Sequence, residues 1–135
     1  MCGEKLDLGN LDLPVYIYGS REDHIVPATA AYASTQVLPG KKRFVMGASG
    51  HIAGVINPPA KGKRSHWIRA DGKFPGTLDQ WLEGATEHPG SWWTDWSGWL
   101  KSHAGKQIAA PKAYGKGAKF KAIEPAPGRY VKQKA

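Results

Sequence analysis

Two loops of this sequence carry the residue types that activate a nucleophile. Asp23 lies in SREDHIVPATAAY, residues 20–32, and His51 lies in ASGHIAGVINPP, which begins at Ala48. A serine or cysteine is a weak nucleophile while neutral, and histidine titrates near neutrality and can take its proton. A carboxylate beside that histidine fixes its tautomer and stabilises the imidazolium. The two loops therefore predict a base, His51, and an acid partner, Asp23, which together need a nucleophile.

The elements before these loops predict an α/β sheet that places them side by side. Val15–Tyr18 is β-rich at every position, as in a strand buried on both faces, and Arg43–Met46 is a second short strand. Ala28–Leu38, between them, has a helical composition, and strand, helix, strand in this order is a βαβ crossover. Asp23 follows the first strand by five residues and His51 follows the second by five. Both are therefore expected at the carboxyl edge of one sheet.

The chain after the second strand predicts a loop and then a helix. Residues 52–76 contain Pro58-Pro59 and several glycines, which is typical of a loop. Thr77 with Gln80 makes a capping box for a helix that His88-Pro89-Gly90 closes.

Four tryptophans within eight residues mark the last predicted helix. Ser91 can cap it, and Trp92, Trp96 and Trp99 follow i, i+4, i+7 spacing. A platform for stacking a ligand is one interpretation, and a helix that packs wide rings on the sheet is the favoured one. Because a complete α/β sheet has more than the two strands visible here, residues 1–103 are expected to be the closing part of a larger domain.

The order of acid before histidine is that of α/β hydrolases, in which the nucleophile comes earlier on a Gly-x-Ser-x-Gly-like elbow. The sequence contains no such motif with serine or cysteine. Cys2 precedes Asp23 but lacks the elbow glycines, and Ser20 is too close to Asp23. The nucleophile is therefore expected outside this chain. Gly50 and Gly54 are expected to let the backbone turn sharply around His51.

Each of these residues also has a structural interpretation. Asp23 could complement the dipole of the helix that follows Pro27, and His51 could be a loop histidine without catalytic work. His24 adjoins Asp23 and could be the histidine that matters. The remaining candidates for metal ligands do not have metal-like spacing, so no zinc site is predicted. They are Cys2, His66, His88 and His103.

The net charge of +8 comes from one end of the chain. Residues 1–100 hold ten basic and ten acidic residues, whereas residues 101–135 hold nine basic residues and the single acid Glu124. A flexible, solvated tail rich in Gly, Pro and Lys is predicted over residues 104–135. Attraction to anionic partners, such as coenzyme phosphates or a lipid-coated surface, is the alternative. Nucleic acid is a weak third option, because no recognisable nucleic-acid module accompanies the charge.

The sequence also bears on location. No stretch is apolar over the length that a membrane-spanning helix requires, and the start lacks the pattern of a secretory signal. One cysteine permits no internal disulfide, which favours a reducing, cytoplasmic compartment.

Four long strings of the sequence resemble the C-terminal part of class I polyhydroxyalkanoate synthases. They are YIYGSREDHIVP (16–27), GASGHIAGVINPPAK (47–61), GSWWTDW (90–96) and EPAPGRYVK (124–132). The resemblance runs over nearly the whole chain. It implies the last parallel strands and packing helices of an α/β-hydrolase-type fold. It also implies an acyltransferase that polymerises (R)-3-hydroxyacyl-CoA, mainly 3-hydroxybutyryl-CoA, into a polyester with release of CoA.

The resemblance also implies roles for single residues. The family's nucleophile is a cysteine upstream of everything seen here, and His51 matches the histidine expected to deprotonate it. Asp23 matches the aspartate, which either orients His51 or helps activate the 3-hydroxyl of the incoming monomer. His24 is a candidate outer neighbour of the pair. Members commonly carry an aromatic residue where this chain has Ala28.

The family also implies a setting for the chain. No cofactor is expected, since the coenzyme A thioester is the substrate. The implied partners are the growing polyester, the remainder of the synthase with the nucleophilic cysteine, a second copy in a homodimer, and the surface of cytoplasmic polymer granules. A non-catalytic granule-associated or dimerising module derived from the synthase is the alternative function.

Overall fold

The computed structural model describes residues 2–134, which divide into two units, Met1–Ala104 and Gly105–Ala135. The first unit contains both loops singled out above, and the second contains most of the basic residues at the end of the chain. Each unit is described separately below. Within residues 2–134, no helix has the length and apolar character needed to cross a membrane.

The first unit is built on a four-stranded mixed sheet of order β1-β2-β3-β4. β1 (Val15–Ser20) and β2 (Lys42–Gly47) are parallel, which confirms the predicted α/β class. β3 (Ser65–Ile68) and β4 (Thr86–Pro89) continue the sheet in antiparallel pairing. The loop prediction for 52–76 was therefore wrong for β3, and residues 88 and 89 end a strand and do not close a helix. Neither short strand shows a regular alternation of buried and exposed residues. In β3 only His66 is buried, and β4 is exposed at every position.

Four helices accompany this sheet. They are α1 (Ala28–Val37), α2 (His51–Val55), α3 (Leu78–Glu83) and α4 (Trp93–His103), with short 3-10 turns at Leu8–Asn10 and Pro59–Lys61. The predicted cap of α3 is confirmed, because Thr77 Oγ1 accepts a hydrogen bond from the Gln80 N–H at 3.3 Å. Ser91 Oγ likewise accepts from the Trp93 N–H at 3.0 Å at the start of α4. These caps satisfy amide groups that a helix leaves unpaired at its first turn.

One face of the sheet packs against α1 and α3. Phe44 of β2 is its centre, with Tyr32 of α1 and Trp81 of α3 both meeting its ring edge-on, at centroid distances of 5.1 and 4.9 Å. Ile17 and Met46 complete this core, and Met46 and Trp81 are each only 1% exposed. Alternate residues of β1 and β2 thus supply the core, as the two-residue period of a strand requires.

The opposite face packs against the tryptophans at the start of α4. Tyr18 stacks on Trp92 with centroids 4.2 Å apart, and Tyr16 lies 5.4 Å from Trp99. Tyr16 also donates a hydrogen bond to Asp95, which is ion-paired with Arg43. The predicted helix that packs wide rings on the sheet is confirmed, so the two helical layers enclose β1 and β2.

The second unit contains a small antiparallel hairpin, β5 (Gly115–Lys116) and β6 (Phe120–Lys121), and a 3-10 turn at Tyr130–Lys132. None of its described residues is buried. A basic segment that buries no apolar side chain matches the composition from which a solvated tail was predicted.

Candidate active site

The two candidate loops are joined at the carboxyl edge of β1 and β2. Beyond the last residues of the strands, the Arg21 N–H donates to the Gly47 carbonyl at 2.8 Å and the Glu22 N–H donates to the Ser49 carbonyl at 3.0 Å. The parallel pairing therefore extends past the sheet into both loops. This extension places Asp23, which follows Glu22, beside the segment that leads from Ser49 to His51.

Asp23 and His51 are within hydrogen-bond distance of each other at this edge. Asp23 Oδ2 lies 2.8 Å from His51 Nδ1, and Asp23 Oδ1 accepts from the N–H groups of Ile25 and Val26, each at 2.9 Å. An ionised carboxylate can only accept hydrogen bonds, so it favours the tautomer with the proton on His51 Nδ1. The other ring nitrogen, Nε2, is then the one free to accept a proton.

The charge state of Asp23 suits this geometry. Burial alone would raise the pKa of the Asp23 carboxyl, but hydrogen bonds from Val26, His51 and Ile25 outweigh burial and hold this pKa below its ordinary value. The Asp23 side chain is 7% exposed, whereas that of His51 is 41% exposed. The acid is therefore ionised and enclosed, while the base has an open side towards which a reacting group can approach.

His51 is the first residue of α2, and the packing of α2 fixes its place. A β-carbon on Gly54 would lie 2.4 Å from Ser20 Oγ and 2.9 Å from the Ala48 carbonyl oxygen, so only glycine lets α2 approach β1 this closely. The expectation of a sharp turn at Gly50 and Gly54 was wrong. Gly50 has an extended backbone (φ −92°), and the left-handed residue before α2 is Ser49, with φ 75°.

The other residues considered as candidates do not join the pair. His24 is exposed, and within residues 2–134 its side chain forms no hydrogen bond or ion pair. Ser20 is buried at the end of β1, and its hydroxyl lies 3.0 Å from the Tyr18 hydroxyl. Cys2 is exposed and free. In the described part of the chain, no hydroxyl or thiol is hydrogen-bonded to His51.

Exposed apolar side chains lie close along the chain to both members of the pair. Both residues that donate to Asp23 have exposed side chains, and so do three residues of α2 and its end. They are Ile25, Val26, Ile52, Val55 and Ile56, with exposed fractions from 39% to 69%. Several large apolar side chains exposed together around one site indicate a surface that binds an apolar group or another part of a protein.

Four cationic side chains lie at the same edge of the sheet. Arg21 follows β1, Arg64 precedes β3, and the other two, Lys61 and Lys63, lie in the loop between α2 and β3. The Ala48 N–H donates to the Ser65 carbonyl at 3.0 Å, which brings the start of β3 beside the loop of His51. Three of these cations, Lys61, Lys63 and Arg64, fall in the segment 52–76 that was predicted as a loop.

None of these four cations forms an ion pair within residues 2–134. Arg21 instead lies over the ring of Trp67, at 5.1 Å from its centroid. Burial raises the pKa of the Tyr18 hydroxyl, while its hydrogen bond with Ser20 and the Arg64 charge oppose the increase, so Arg64 is close to the end of β1. Unpaired cations beside an acid–base pair favour an anionic ligand.

The sequence interpretation also missed two groups that contact α2. The indole N–H of Trp92 donates to the Gly54 carbonyl at 3.1 Å, and that of Trp93 donates to the Val55 carbonyl at 2.9 Å. The adjacent pair of tryptophans at the start of a helix was the available signal. It was interpreted as packing alone, because a sequence does not show where an indole N–H finds its acceptor.

Comparison with known proteins supports the resemblance stated above. No family model matches the chain. The chain is 64% identical over all of its 135 residues to the poly(3-hydroxyalkanoate) polymerase subunit PhaC of Cupriavidus necator, of which it covers 22%. It is 42% identical to the PhaC subunit of Rhizobium etli over 98% of the chain and 20% of that protein. It is 41% identical to a poly(3-hydroxyalkanoate) polymerase of Methylorubrum extorquens over 97% of the chain and 21% of that protein. The chain spans about one fifth of the length of these relatives, and at least 97% of the chain is similar to a segment of each of them.

Proposed function

We propose that this chain is the C-terminal segment of a polyhydroxyalkanoate polymerase and carries the acid–base pair of its active site. The complete enzyme would be an acyltransferase that joins (R)-3-hydroxyacyl groups, mainly 3-hydroxybutyryl groups, from their coenzyme A thioesters into a polyester. The observation that carries this proposal is the 2.8 Å contact between His51 Nδ1 and Asp23 Oδ2, with His51 open to approach. A histidine oriented by a carboxylate is the base that a cysteine or serine nucleophile needs.

In this mechanism His51 moves the protons and the rest of the polymerase supplies a cysteine. His51 Nε2 takes the thiol proton, and the thiolate attacks the thioester carbonyl of the substrate. The bond from that carbonyl to the coenzyme A sulfur breaks, and the imidazolium returns its proton to the leaving thiolate. The acyl group is then held on the cysteine. In the next step His51 takes the proton of a 3-hydroxyl group, whose oxygen attacks the acyl carbonyl held on the cysteine. The bond from that carbonyl to the cysteine sulfur breaks as the new ester forms, and the imidazolium returns the proton to the cysteine thiolate.

Asp23 acts by orienting His51 in this proposal. Its carboxylate already accepts three hydrogen bonds, one from His51 and two from the backbone N–H groups of Ile25 and Val26. Three of the roughly four acceptor positions of a carboxylate are thus occupied, which leaves little capacity for a substrate hydroxyl. Its low exposure, 7%, also leaves little room for that hydroxyl.

An α/β-hydrolase-type fold is part of the same proposal. The supporting observations are the parallel β1 and β2 joined through α1, with the acid following β1 and the histidine following β2. That is the arrangement in which such folds present acid and base beyond the carboxyl ends of adjacent strands. The sheet order places β1 at one edge within residues 2–134, so an upstream strand has a free edge on which to pair.

The exposed cations at this edge support a coenzyme A thioester as the substrate. Arg21, Lys61, Lys63 and Arg64 lie after β1 or before β3, at the same edge of the sheet as His51, and no described acid forms an ion pair with them. Coenzyme A carries phosphate groups, and the acyl chain is apolar. The exposed apolar side chains near the pair are suited to bind the acyl chain of the substrate, and the cations are suited to bind the phosphates.

The test uses a complete polymerase in which this chain replaces the matching 22% of the Cupriavidus necator relative. The release of coenzyme A from 3-hydroxybutyryl-CoA is followed with a thiol reagent. We expect His51→Ala to reduce turnover by about two to four orders of magnitude, the scale of a lost general base. His24→Ala is the matched control, because the side chain of this exposed residue forms no hydrogen bond or ion pair with Asp23 or His51. Equal turnover in the His51→Ala variant and the unsubstituted chimera would refute the proposal.

A single-turnover experiment separates the two roles considered for Asp23. If Asp23 orients His51, Asp23→Asn slows the first acylation of the cysteine as well as chain growth. If it only activated the 3-hydroxyl, the first equivalent of coenzyme A would appear at the unsubstituted rate and only the later release would slow. The burst of coenzyme A release under rapid mixing decides between them.

Partners and location complete the proposal. A cytoplasmic enzyme that associates with polymer granules and forms a homodimer is proposed on family resemblance, and the basic unit Gly105–Ala135 is a candidate granule contact. The alternative, a non-catalytic module, is favoured by one observation: no described thiol or hydroxyl is hydrogen-bonded to His51. Immunoblotting the source cell with an antibody to the segment EPAPGRYVKQKA distinguishes them. A band several times heavier than 14.7 kDa supports the polymerase.

A further inference from the structure

The helix that carries His51 is a single short turn whose end is bound by two indole groups. α2 has five residues, and His51 is its first. The Gly54 carbonyl accepts the indole N–H of Trp92 at 3.1 Å, and the Val55 carbonyl accepts that of Trp93 at 2.9 Å. The Val55 carbonyl also accepts from the Asn57 N–H at 3.1 Å and would keep this donor if Trp93 lost its N–H. The Gly54 carbonyl depends more strongly on its bond with Trp92.

A five-residue helix does not hold its position by itself. Helices this short are unstable in isolation, because nucleation costs more than the few hydrogen bonds return. The place of α2 must therefore come from its contacts with the rest of the chain. On one side Gly54 packs against Tyr18 and Ser20 of β1, and on the other the two indole donors bind the last carbonyl groups of the helix.

The tryptophans are themselves held firmly. Trp92 is 8% exposed and stacks on Tyr18 with ring planes 28° apart. The backbone N–H of Trp93 is bound by Ser91 Oγ at 3.0 Å, and its ring meets that of Trp92 edge-on. Both donors are thus fixed relative to β1, which also carries the loop of Asp23. The same strand therefore sets the position of the acid directly and that of the base through the two tryptophans.

We propose that Trp92 and Trp93 are positioning residues, whose indole N–H groups hold α2 where His51 stays hydrogen-bonded to Asp23. This inference rests on the proposed function only for its catalytic consequence. Loss of the two donors leaves the carbonyl of Gly54 buried without its partner and releases α2 from one side. Because misplacing a catalytic group by about 1 Å costs about a hundredfold in rate, a smaller shift of α2 is expected to lower kcat about tenfold.

The test removes the N–H groups and keeps the rings. Trp92 and Trp93 are replaced, singly and together, by benzothienylalanine, in which sulfur stands in place of the indole N–H. The chimeric polymerase described above is used. The matched control is the same replacement at Trp99, whose ring packs on Tyr16 and whose indole N–H forms no hydrogen bond within the described chain. This control loses an equivalent N–H without touching α2.

Two readouts separate positioning from a general structural effect. The double replacement is expected to lower kcat about tenfold with KM changed less than about twofold. In the Asp23→Asn background the same replacement is expected to lower kcat less than about twofold, because the alignment it disturbs is already lost. A full additional tenfold loss in that background, or an equal loss in the Trp99 control, overturns the inference.

Hydrogen exchange of the α2 amides gives a readout that needs no activity. The Gly54 and Ile56 N–H groups close α2 through their bonds to Gly50 and Ile52. They are expected to exchange faster in the double replacement than in the Trp99 control, and equal rates overturn the inference. If the unsubstituted chimera releases no coenzyme A, the proposed function fails, while hydrogen exchange still decides whether the tryptophans hold α2.

Discussion

A single methyl group on Gly54 should separate the acid–base pair. Gly54 lies in α2, three residues after His51, and faces the end of β1. In Gly54→Ala the new β-carbon would lie 2.4 Å from Ser20 Oγ, 2.9 Å from the Ala48 carbonyl oxygen and 3.0 Å from the Tyr18 hydroxyl. The serine hydroxyl can rotate away, but the Ala48 oxygen belongs to the backbone of the loop that leads into His51. Either α2 or that loop must therefore move.

The required movement can be estimated from these distances. Ordinary contacts of a β-carbon begin at 3.4 Å, so the distance to the Ala48 oxygen must grow by 0.5 Å, from 2.9 Å. If α2 moves as a unit by that amount away from Asp23, the His51–Asp23 contact of 2.8 Å becomes 3.3 Å. That distance lies just beyond the usual range of an N–H···O hydrogen bond. By the scale of about a hundredfold per ångström, half an ångström should cost about tenfold in kcat.

Coenzyme A release by the chimeric polymerase measures this effect, and Gly50→Ala is the matched control. Gly50 immediately precedes His51, its φ is −92°, and a β-carbon there would meet only the Glu22 carbonyl oxygen, at 3.5 Å. Gly50→Ala should therefore keep turnover within about twofold, since it needs no displacement. Equal turnover in the two variants would show that α2 absorbs the methyl group without moving His51, and would refute this reasoning.

Two more results are expected. Replacing Lys61, Lys63 and Arg64 together by glutamine should raise KM for the acyl-CoA about tenfold with kcat unchanged, since three exposed charges at about 0.5 kcal/mol each sum to about one decade. The effect should shrink with added salt, and Lys41→Gln, at the opposite edge, is the control. Asp95→Asn should destabilise the protein by about 1–3 kcal/mol in urea unfolding, because the amide lacks the negative charge and replaces one of the two oxygens that accept from Arg43 and Tyr16. Burial raises the pKa of the Asp95 carboxyl, but hydrogen bonds from Arg43 and Tyr16 outweigh it and lower this pKa. Its contribution is therefore present above the unfolded value of 3.8 and lost as pH falls through the lower folded value. If the difference in unfolding free energy between Asp95→Asn and the unsubstituted protein stayed the same at acid pH, this assignment would be contradicted.

The parallel part of the sheet and the place of the pair could be predicted from local patterns. Val15–Tyr18 and Arg43–Met46 are β-rich and bounded by glycine, proline or turn residues, and such segments form strands wherever both faces become covered. Once the two strands are parallel, equal spacing after each brings Asp23 and His51 to the same edge. The structure places Asp23 Oδ2 2.8 Å from His51 Nδ1. Sequence distance and strand direction thus predict the edge at which the two residues meet.

The antiparallel strands and the contacts of α2 could not be predicted in the same way. β3 has only four residues, with His66 as its buried member, and β4 is exposed throughout, so neither shows the apolar pattern of a core strand. Their pairing is decided by the sheet edge that β2 offers. The sequence correctly indicated that Gly54 matters, but the reason given, a sharp turn of the backbone, was wrong. Its actual reason, the close approach of α2 to Ser20 and Ala48, exists only in three dimensions.

The contrast between local patterns and distant contacts also applies to how the acid and the base are held in place. Asp23 is held by backbone N–H groups two and three residues further along the chain, contacts that any chain with this turn would form. His51 depends on distant groups: Gly54 against β1, and the indole donors of Trp92 and Trp93, 38 residues from their acceptors. The carboxylate of the acid is therefore bound mainly by its own loop, whereas the base needs β1, α2 and the start of α4 together. All of these lie within Met1–Ala104, so one unit fixes the pair and leaves one side of His51 open.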